Sequence, residues 1–478
     1  MMTWLLTWWP LAVAVIELVV AAHAVMNKRE VRAAAAWAAL ILLLPGVGVL
    51  LYLVLGINRV QRAGDRLRSG MRRYEHAAGH ELAAADLATH LPDSARHLVS
   101  IARTTARVTR WPLLSGNRVG LLRDGDEAYP EMLRAIGAAT RSIALGSYIF
   151  DNDVVGKRFV AALAAAHARG VQVRVLIDDA GARYSFPSID RALSARGVTV
   201  ARFLRVLTPW SVAFANLRNH RKLLIVDGAT AFTGGMNLRA ECVLAESPRH
   251  PTRDLHFRLE GPVVGALMDV FAEDWAFTTR EELRGEPWSC AGLPCGDTVA
   301  RVITDGPDLD LHTMRSTLHG ALNSAHRAVR IMTPYFLPDE PLIAALNAAA
   351  LRGVEVDVII PERTNFRFMD WAIRGELWKI LHQGCRVWLG AQPFDHSKLM
   401  TVDGAWALVG STNWDPRSLR LNFELDVECY DQALVEQLDR LLDERRAAAR
   451  RFDAASFDAL PWPARLRNAT ARLLSPYL

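Results

Sequence analysis

Two stretches of this 478-residue chain carry the same polar residues at the same spacing. The first has His220, Lys222 and Asp227, then Gly234-Gly235 and Asn237; the second has His396, Lys398 and Asp403, then Gly410-Ser411 and Asn413. Both fit H-x-K-x4-D-x6-G-[GS]-x-N. One such match says little, because histidine and lysine are common on surfaces. Two matches with the same tail point to chemistry. The types suit attack on a phosphodiester without a metal. Histidine can act as nucleophile or as acid near neutral pH. Lysine ammonium and asparagine amide groups can hold the non-bridging oxygens. One stretch offers one of each; two together offer a complete site.

The elements around the motifs must bring them together. LLIVD and LMTVD read as strands, which would put His220 and Lys222 on one face, and His396 and Lys398 likewise. A catalytic imidazole needs a carboxylate on its other nitrogen, and one lies downstream of each histidine: Asp254 in RDLHFRLEGP and Glu424 in LNFELDV. Asp227 and Asp403 fall at strand ends before glycine and read as structural. Ser411 and Thr233 are further candidates for phosphate contact, whereas His256, Cys242 and Cys429 read as core.

The motifs are in phase with a longer repeat. Ser142–Phe150 reads as a strand, Val155–Arg169 as a helix closed by Gly170, and Val171–Ile177 as the next strand. The same unit returns as Val329–Phe336, Leu342–Arg352, Gly353 and Val354–Ile360, with ARGVQVRVLI matched by LRGVEVDVII. This predicts an α/β fold of two homologous lobes, their mixed sheets packed face to face. The expected divisions are residues 1–58, a basic juxtamembrane linker at 59–114, a first lobe at 115–285 and a second at 286–478 with a C-terminal tail. Gly285–Pro307 reads as the junction.

Charged residues make up 22% of the chain and apolar ones 51%, with a net charge of +5. An anionic partner fits: membrane lipid, nucleic acid or a phosphate ester. The five cysteines form no CxxC pair and read as reduced thiols. There is no P-loop, dinucleotide fingerprint or metal-ligand set, so no metal or cofactor is expected.

Thr3–Val25 and Ala33–Leu55 are apolar runs of membrane-spanning length, joined by NKREVR. The alternatives are a cleaved signal peptide with Ala22-His23-Ala24 as its site and, for the second run, a buried core helix; no Lys or Arg precedes the first run, a second follows at once, and the second is long and uncharged, which favours a two-span transmembrane hairpin. The turn carries Lys28, Arg29 and Arg32. The following segment carries Arg59, Arg62, Arg66, Arg68, Arg72 and Arg73, which puts the remainder in the cytoplasm. Glu17 is expected to face the partner helix or an interface. Leu460–Leu478 reads equally as an interfacial segment or a packed helix.

The motifs resemble the paired HKD motifs of the phospholipase D superfamily. The fuller text, RNHRKLLIVDG, AFTGGMN, TPYFLPDE, HSKLMTVDG, GSTNWDPRS, PGVGVLLYLVLGINR and LLSPYL, resembles its cardiolipin synthase branch over nearly the whole chain. LGSYIF departs from that branch, which more often has an acidic or aromatic residue beside the tyrosine. The resemblance implies a bacterial inner-membrane enzyme and ping-pong transfer. His220 would attack phosphatidylglycerol, His396 would protonate the departing glycerol, and a second phosphatidylglycerol would take the phosphatidyl group to give cardiolipin. Lys222, Lys398, Asn237 and Asn413 would hold the phosphate, and Asp254 and Glu424 would orient the rings. The two histidines could exchange roles. Water or phosphatidylethanolamine remain open as second substrate. A phosphatidylserine synthase, a nuclease and a non-enzymatic scaffold are the competing readings; no nucleic-acid module is seen, and neither motif is broken.

Overall fold

The computed structural model describes residues 2–28, 31–56, 80–205, 217–308 and 310–473. Contacts divide the chain into two compact units, Met1–Leu67 and Arg68–Leu478.

The first unit opens with a helix over Met2–Asn27, of which Trp8–Asn27 is long and apolar enough to cross a membrane. The second apolar run differs from the single span expected. It forms a helix over Val31–Leu43, breaks at Leu44–Gly46, and resumes as Val47–Leu51 and a turn over Tyr52–Gly56. Pro45 has no amide hydrogen to continue the helix, and Gly46 takes a φ of 71°. Buried Glu17 accepts a hydrogen bond from the Gly46 amide at 3.0 Å. A carboxylate in an apolar helix thus satisfies a donor that the break exposes. Nearby, His23 Nδ1 lies 2.9 Å from the Tyr52 hydroxyl, and the Tyr52 ring meets Trp37 edge-on. Arg29 and the arginines from Arg59 to Arg73 lie outside the described residues.

The second unit is built on strands β1 (Leu114–Arg123), β2 (Ser142–Ser147), β3 (Gln172–Asp178), β4 (Thr199–Phe203), β5 (Arg218–Asn219), β6 (Leu223–Val226), β7 (Thr230–Gly234), β8 (Thr252–Arg253) and β9 (Leu255–Glu260). Then come β10 (Thr298–Asp305), β11 (Ala328–Met332), β12 (Glu355–Pro361), β13 (Arg386–Gly390), β14 (Phe394–Asp395), β15 (Leu399–Val402), β16 (Trp406–Gly410), β17 (Asn422–Tyr430) and β18 (Ala449–Phe452). Among the described residues, all but β8 and β14 join one 16-stranded sheet. Outward from the central pair β1–β10, one side runs β9, β7, β6, β2, β3, β4. The other runs β17, β16, β15, β11, β12, β13, with β18 added at the edge. On both sides the outer three repeat strands are parallel and the rest antiparallel, apart from β5, which lies parallel to β17. The repeat read in the sequence is therefore a repeat of topology. The strand pairing differs from face-to-face packing: the two half-sheets join edge to edge through β1 and β10, with an irregularity between Leu114 and Asn117.

The repeated helices are Val154–Ala168 and Glu340–Leu351. Asp153 caps the first by accepting from the Gly156 amide at 2.8 Å, and Asp339 caps the second through Leu342. Gly170 and Gly353 end them at φ of 92° and 90°, where a side chain would be strained.

Two expected boundaries move. Residues 80–113 are folded, not a linker: Leu87, Leu91, Leu98 and Ile101 belong to the core around Leu318, Leu322 and Val329. The helix Val99–Thr105 lies against Thr313–Ser324, where a Cβ on Gly320 would come within 3.1 Å of Thr104. Apolar burial of this kind is worth roughly 1.5–3 kcal/mol per large side chain and outweighs the basic character of the segment. The expected junction likewise contains β10, which is buried at every position.

Candidate active site

The motif histidines do not sit within strands as LLIVD and LMTVD suggested. Residues 220–222 and 396–398 precede β6 and β15. The two-residue strand β5 pairs with β17, and the His220 amide then donates to the Phe423 carbonyl at 2.9 Å. The second motif does the reverse: β14 pairs with β8, and the His396 amide donates to the Arg253 carbonyl at 2.8 Å. Each histidine is thus carried onto the segment that bears the carboxylate of the other half, Glu424 within β17 and Asp254 just after β8.

The carboxylate pairing is crossed as a result. His220 Nδ1 lies 2.9 Å from Glu424 Oε2, and His396 Nδ1 lies 2.8 Å from Asp254 Oδ2. The sequence suggested that each histidine would use the carboxylate downstream of it. The reason it does not is the docking of β5 and β14 across the halves. Glu424 also accepts from the Ser411 hydroxyl at 2.5 Å and from the Asn422 amide at 3.0 Å. Asp254 has no such hydroxyl, because the position matching Ser411 is Gly235. A Cβ there would stand 2.3 Å from Asp254 Oδ1.

The electrostatics of the two carboxylates differ as well. Burial alone would raise the Glu424 pKa, but His220, Lys222 and the Ser411 hydrogen bond outweigh it and hold the carboxyl at about 2. Burial lifts Asp254 to about 7 despite the pull of Lys398. Burial brings His220 down to about 4 and, with Lys398, holds His396 well below its usual value. Lys222 and Lys398 fall to about 7 and about 8, again chiefly through burial. An ionised Glu424 can only accept, so His220 carries its proton on Nδ1 and presents a bare Nε2.

Lys222 Nζ donates to the His220 carbonyl at 2.6 Å; Lys398 Nζ donates to the His396 carbonyl and lies 2.9 Å from its Nδ1. Asn237 accepts the Ile149 amide through Oδ1 at 3.0 Å, and Asn413 Oδ1 is buried without a partner among the described residues. Ser411 and Thr233, read as phosphate contacts, are spent elsewhere: Ser411 on Glu424, and Thr233 on the Lys222 carbonyl at 2.8 Å. Both are fully buried. Arg221, between His220 and Lys222, grips Asp274 with both oxygens within 2.9 Å and fixes the motif to the helix Val263–Thr279.

Asp227 and Asp403 bind backbone. Asp227 accepts from the amides of Thr140, Arg141 and Ser142, and Asp403 from those of His326, Arg327 and Ala328. They hold the entries of β2 and β11, at φ of 53° and 52°.

Two aromatic residues at the site were not singled out from the sequence. The Tyr148 ring meets His220 edge-on at 5.0 Å, with Lys222 Nζ 5.5 Å from its centroid; Tyr335 meets His396 at 6.2 Å. Their signal was present, since SIALGSYIF and VRIMTPYF place a tyrosine just past matching strands.

The sequence matches the family described as cardiolipin synthase, PLD-like domain, over residues 132–247 and 318–446. Residues 13–56 match a phospholipase D-nuclease N-terminal family. Cardiolipin synthase A of Pseudomonas aeruginosa (strain LESB58) is 32% identical over 98% of this chain and 95% of its own length. Cardiolipin synthase of Geobacillus kaustophilus is 29% identical over 95% and 90%. The crystal structure of a phosphatidylserine synthase from Haemophilus influenzae shares the fold, with a TM-score of 0.61 at 14% identity, covering 79% of this chain and all of that one. With both motifs intact and the match running nearly end to end, the chain belongs to the cardiolipin synthase family of phospholipase D-like enzymes.

Proposed function

We infer that this phosphatidyltransferase moves a phosphatidyl group from one phosphatidylglycerol to the hydroxyl of a second, giving cardiolipin and glycerol. The observation that carries the reading is the pair of crossed histidine–carboxylate contacts in a chain that aligns with cardiolipin synthases over almost its full length. The unequal carboxylates support unequal roles. His220, held by ionised Glu424, is the nucleophile: its Nε2 bonds to phosphorus as the bond to the glycerol oxygen breaks. His396 is the acid. Its Nε2 proton passes to the departing oxygen while protonated Asp254 gives its own proton to Nδ1. This leaves Nε2 bare and Asp254 ionised, which is the state a general base needs. The second lipid hydroxyl then gives its proton to His396 Nε2, the Nδ1 proton returns to Asp254, and the new P–O bond forms as the P–N bond breaks. A carboxyl near pKa 7 can occupy both states. Lys222, Lys398, Asn237 and Asn413 hold the phosphate.

The apolar N-terminal unit serves as the anchor, its two apolar segments inserted as a hairpin with the basic flank and the catalytic unit on the cytoplasmic side of a bacterial inner membrane. The catalytic unit is two homologous halves, about 115–285 and 286–478, with residues 80–113 packed into the core of the second. Incubating purified protein with phosphatidylglycerol vesicles and a chelator tests the reaction. Cardiolipin plus glycerol, absent from His220→Ala, is expected. Phosphatidic acid alone would make the acceptor water, and product only with phosphatidylethanolamine would change the second substrate. A phosphoenzyme should accumulate in His396→Ala; its appearance in His220→Ala would reverse the roles.

A further inference from the structure

In both halves of the sheet, the loop that follows the second strand of the repeat is tied to the tyrosine beside the catalytic histidine. After β3, a Cβ on Gly181 would come within 1.6 Å of the Tyr148 carbonyl, so that loop is pressed against the Tyr148 backbone. The Ser185 hydroxyl accepts the Asn152 amide at 2.9 Å, and the Pro187 carbonyl accepts the Asn152 side chain at 2.9 Å. After β12, Asn365 accepts the Tyr335 hydroxyl at 2.6 Å. The two loops therefore border the two histidines. Tyr184 also lies within electrostatic reach of both Tyr148 and Tyr335.

Both loops expose aromatic side chains at this border. Phe186 is 93% exposed, Tyr184 62% and Phe366 52%. Exposed rings grouped at one border mark a surface for a membrane or a partner, where a single exposed ring would not. Arginines stand beside them: Arg183, before Tyr184, is ion-paired to Asp179 at 2.5 Å with its side chain still 61% exposed, and Arg367 follows Phe366 on the exposed surface. Rings mixed with arginine suit the headgroup layer of an anionic bilayer, where aromatic bodies sit among acyl chains and cations meet phosphate.

We propose that the loops at 181–187 and 362–368 form a rim that seats the mouth of the active site on an anionic lipid surface, with Tyr184, Phe186 and Phe366 entering the headgroup region. The rim would let a lipid headgroup reach His220 or His396 while its chains stay in the bilayer. The proposal rests on the phosphatidyl-transfer reading of that site, and goes beyond it by naming how the site meets its substrate.

Two measurements on the full chain test it. In the first, Cys290 and Cys295 are changed to Ser, Cys242, Cys385 and Cys429 being buried, and the one accessible cysteine, at Phe186→Cys or Phe366→Cys, carries an environment-sensitive fluorophore. In phosphatidylglycerol vesicles the probe should be quenched when the acyl chains are brominated. No quenching overturns the proposal; so does shielding that depends on protein concentration alone, which would make the rim a contact between two copies. In the second, the Phe186→Ser, Phe366→Ser double variant should lose about tenfold in turnover of bilayer phosphatidylglycerol, the scale expected from withdrawing buried aromatic surface. It should keep its turnover of a short-chain phosphatidylglycerol dispersed as monomers. Equal loss on both substrates, or loss on neither, overturns the rim. If the unmodified protein turns over neither, the transfer reading fails, and the quenching result still decides the rim.

Discussion

At the scale of single residues, the two motif histidines face unlike carboxylates: contact with His220, the charge of Lys222 and the Ser411 hydroxyl together lower the Glu424 pKa, whereas burial prevails at Asp254. Ser411 gives Glu424 a hydroxyl hydrogen bond at 2.5 Å; the matching Gly235 gives Asp254 none. A donor to the ionised form lowers a carboxyl's pKa. Ser411→Ala should therefore raise the Glu424 pKa from about 2 and loosen the hold on the His220 ring. The expected result is a kcat lower by roughly ten- to a hundredfold, with the acid limb of the kcat profile moved to higher pH. If Ser411 instead touched phosphate, KM would rise and the acid limb would stay where it was. Glu424→Gln should be more severe, on the order of 10³ in kcat, because the amide no longer enforces the Nδ1-protonated tautomer. Activity near the unmodified level in that variant would remove His220 as the nucleophile.

At the scale of elements, one motif supplies both side chains that meet across the halves and side chains that bind backbone. Asp227 and Asp403 share the motif with the histidines but serve the entries of β2 and β11. Asp403 also lies 2.6 Å from His97 Nε2, in the folded segment before β1. Burial would raise its pKa, but the amides of Ala328, His326 and Arg327 outweigh burial and lower it. Such a carboxylate contributes stability above its unfolded pKa, and that contribution fades as pH falls through the folded value. Asp403→Asn should cost about 2 kcal/mol at pH 7 in urea titration, and less as the pH drops below the usual carboxylate range. The folded fraction should retain its kcat; a large loss of kcat at unchanged stability would make Asp403 part of the chemistry. The same elements explain what the sequence disclosed. The strand–helix–strand repeat was legible because Gly170 and Gly353 cap helices of standard length between apolar strands. The crossing was not, because β5 and β14 are two residues long and carry no periodic signal. Residues 80–113 were misread as linker because Leu87, Leu91 and Leu98 sit in short helical turns with no sustained period.

At the scale of the whole unit, joining two half-sheets into one makes the centre of the sheet a buried interior that must hold polar groups. Arg301 of β10 pairs with Glu428 of β17, both within about 1% of full burial. Beside them, burial pushes Asp305 well above the usual carboxylate value and Asp426 to about 7. Both feel the negative charge of Glu424, so keeping that carboxylate ionised is accompanied by protons on its neighbours. The sign of the consequence follows. Asp426 stays protonated in the fold up to about pH 7, whereas its unfolded form ionises from about pH 4. The unfolded chain is therefore favoured progressively as pH rises through that window, by an amount on the order of 4 kcal/mol for a shift of this size. Asp426→Asn keeps an acceptor for the Thr412 amide and removes the titration. The melting temperature of the unmodified protein should fall relative to that of the variant between pH 5 and 7.5. Higher pH is a poor place to look, because Lys222 and Lys398, lowered to about 7 and about 8, contribute with the opposite sign there. A difference between the two proteins that is the same at pH 5 and pH 7.5 would mean that Asp426 is ionised in the fold, and that the lysines alone balance the charge of Glu424.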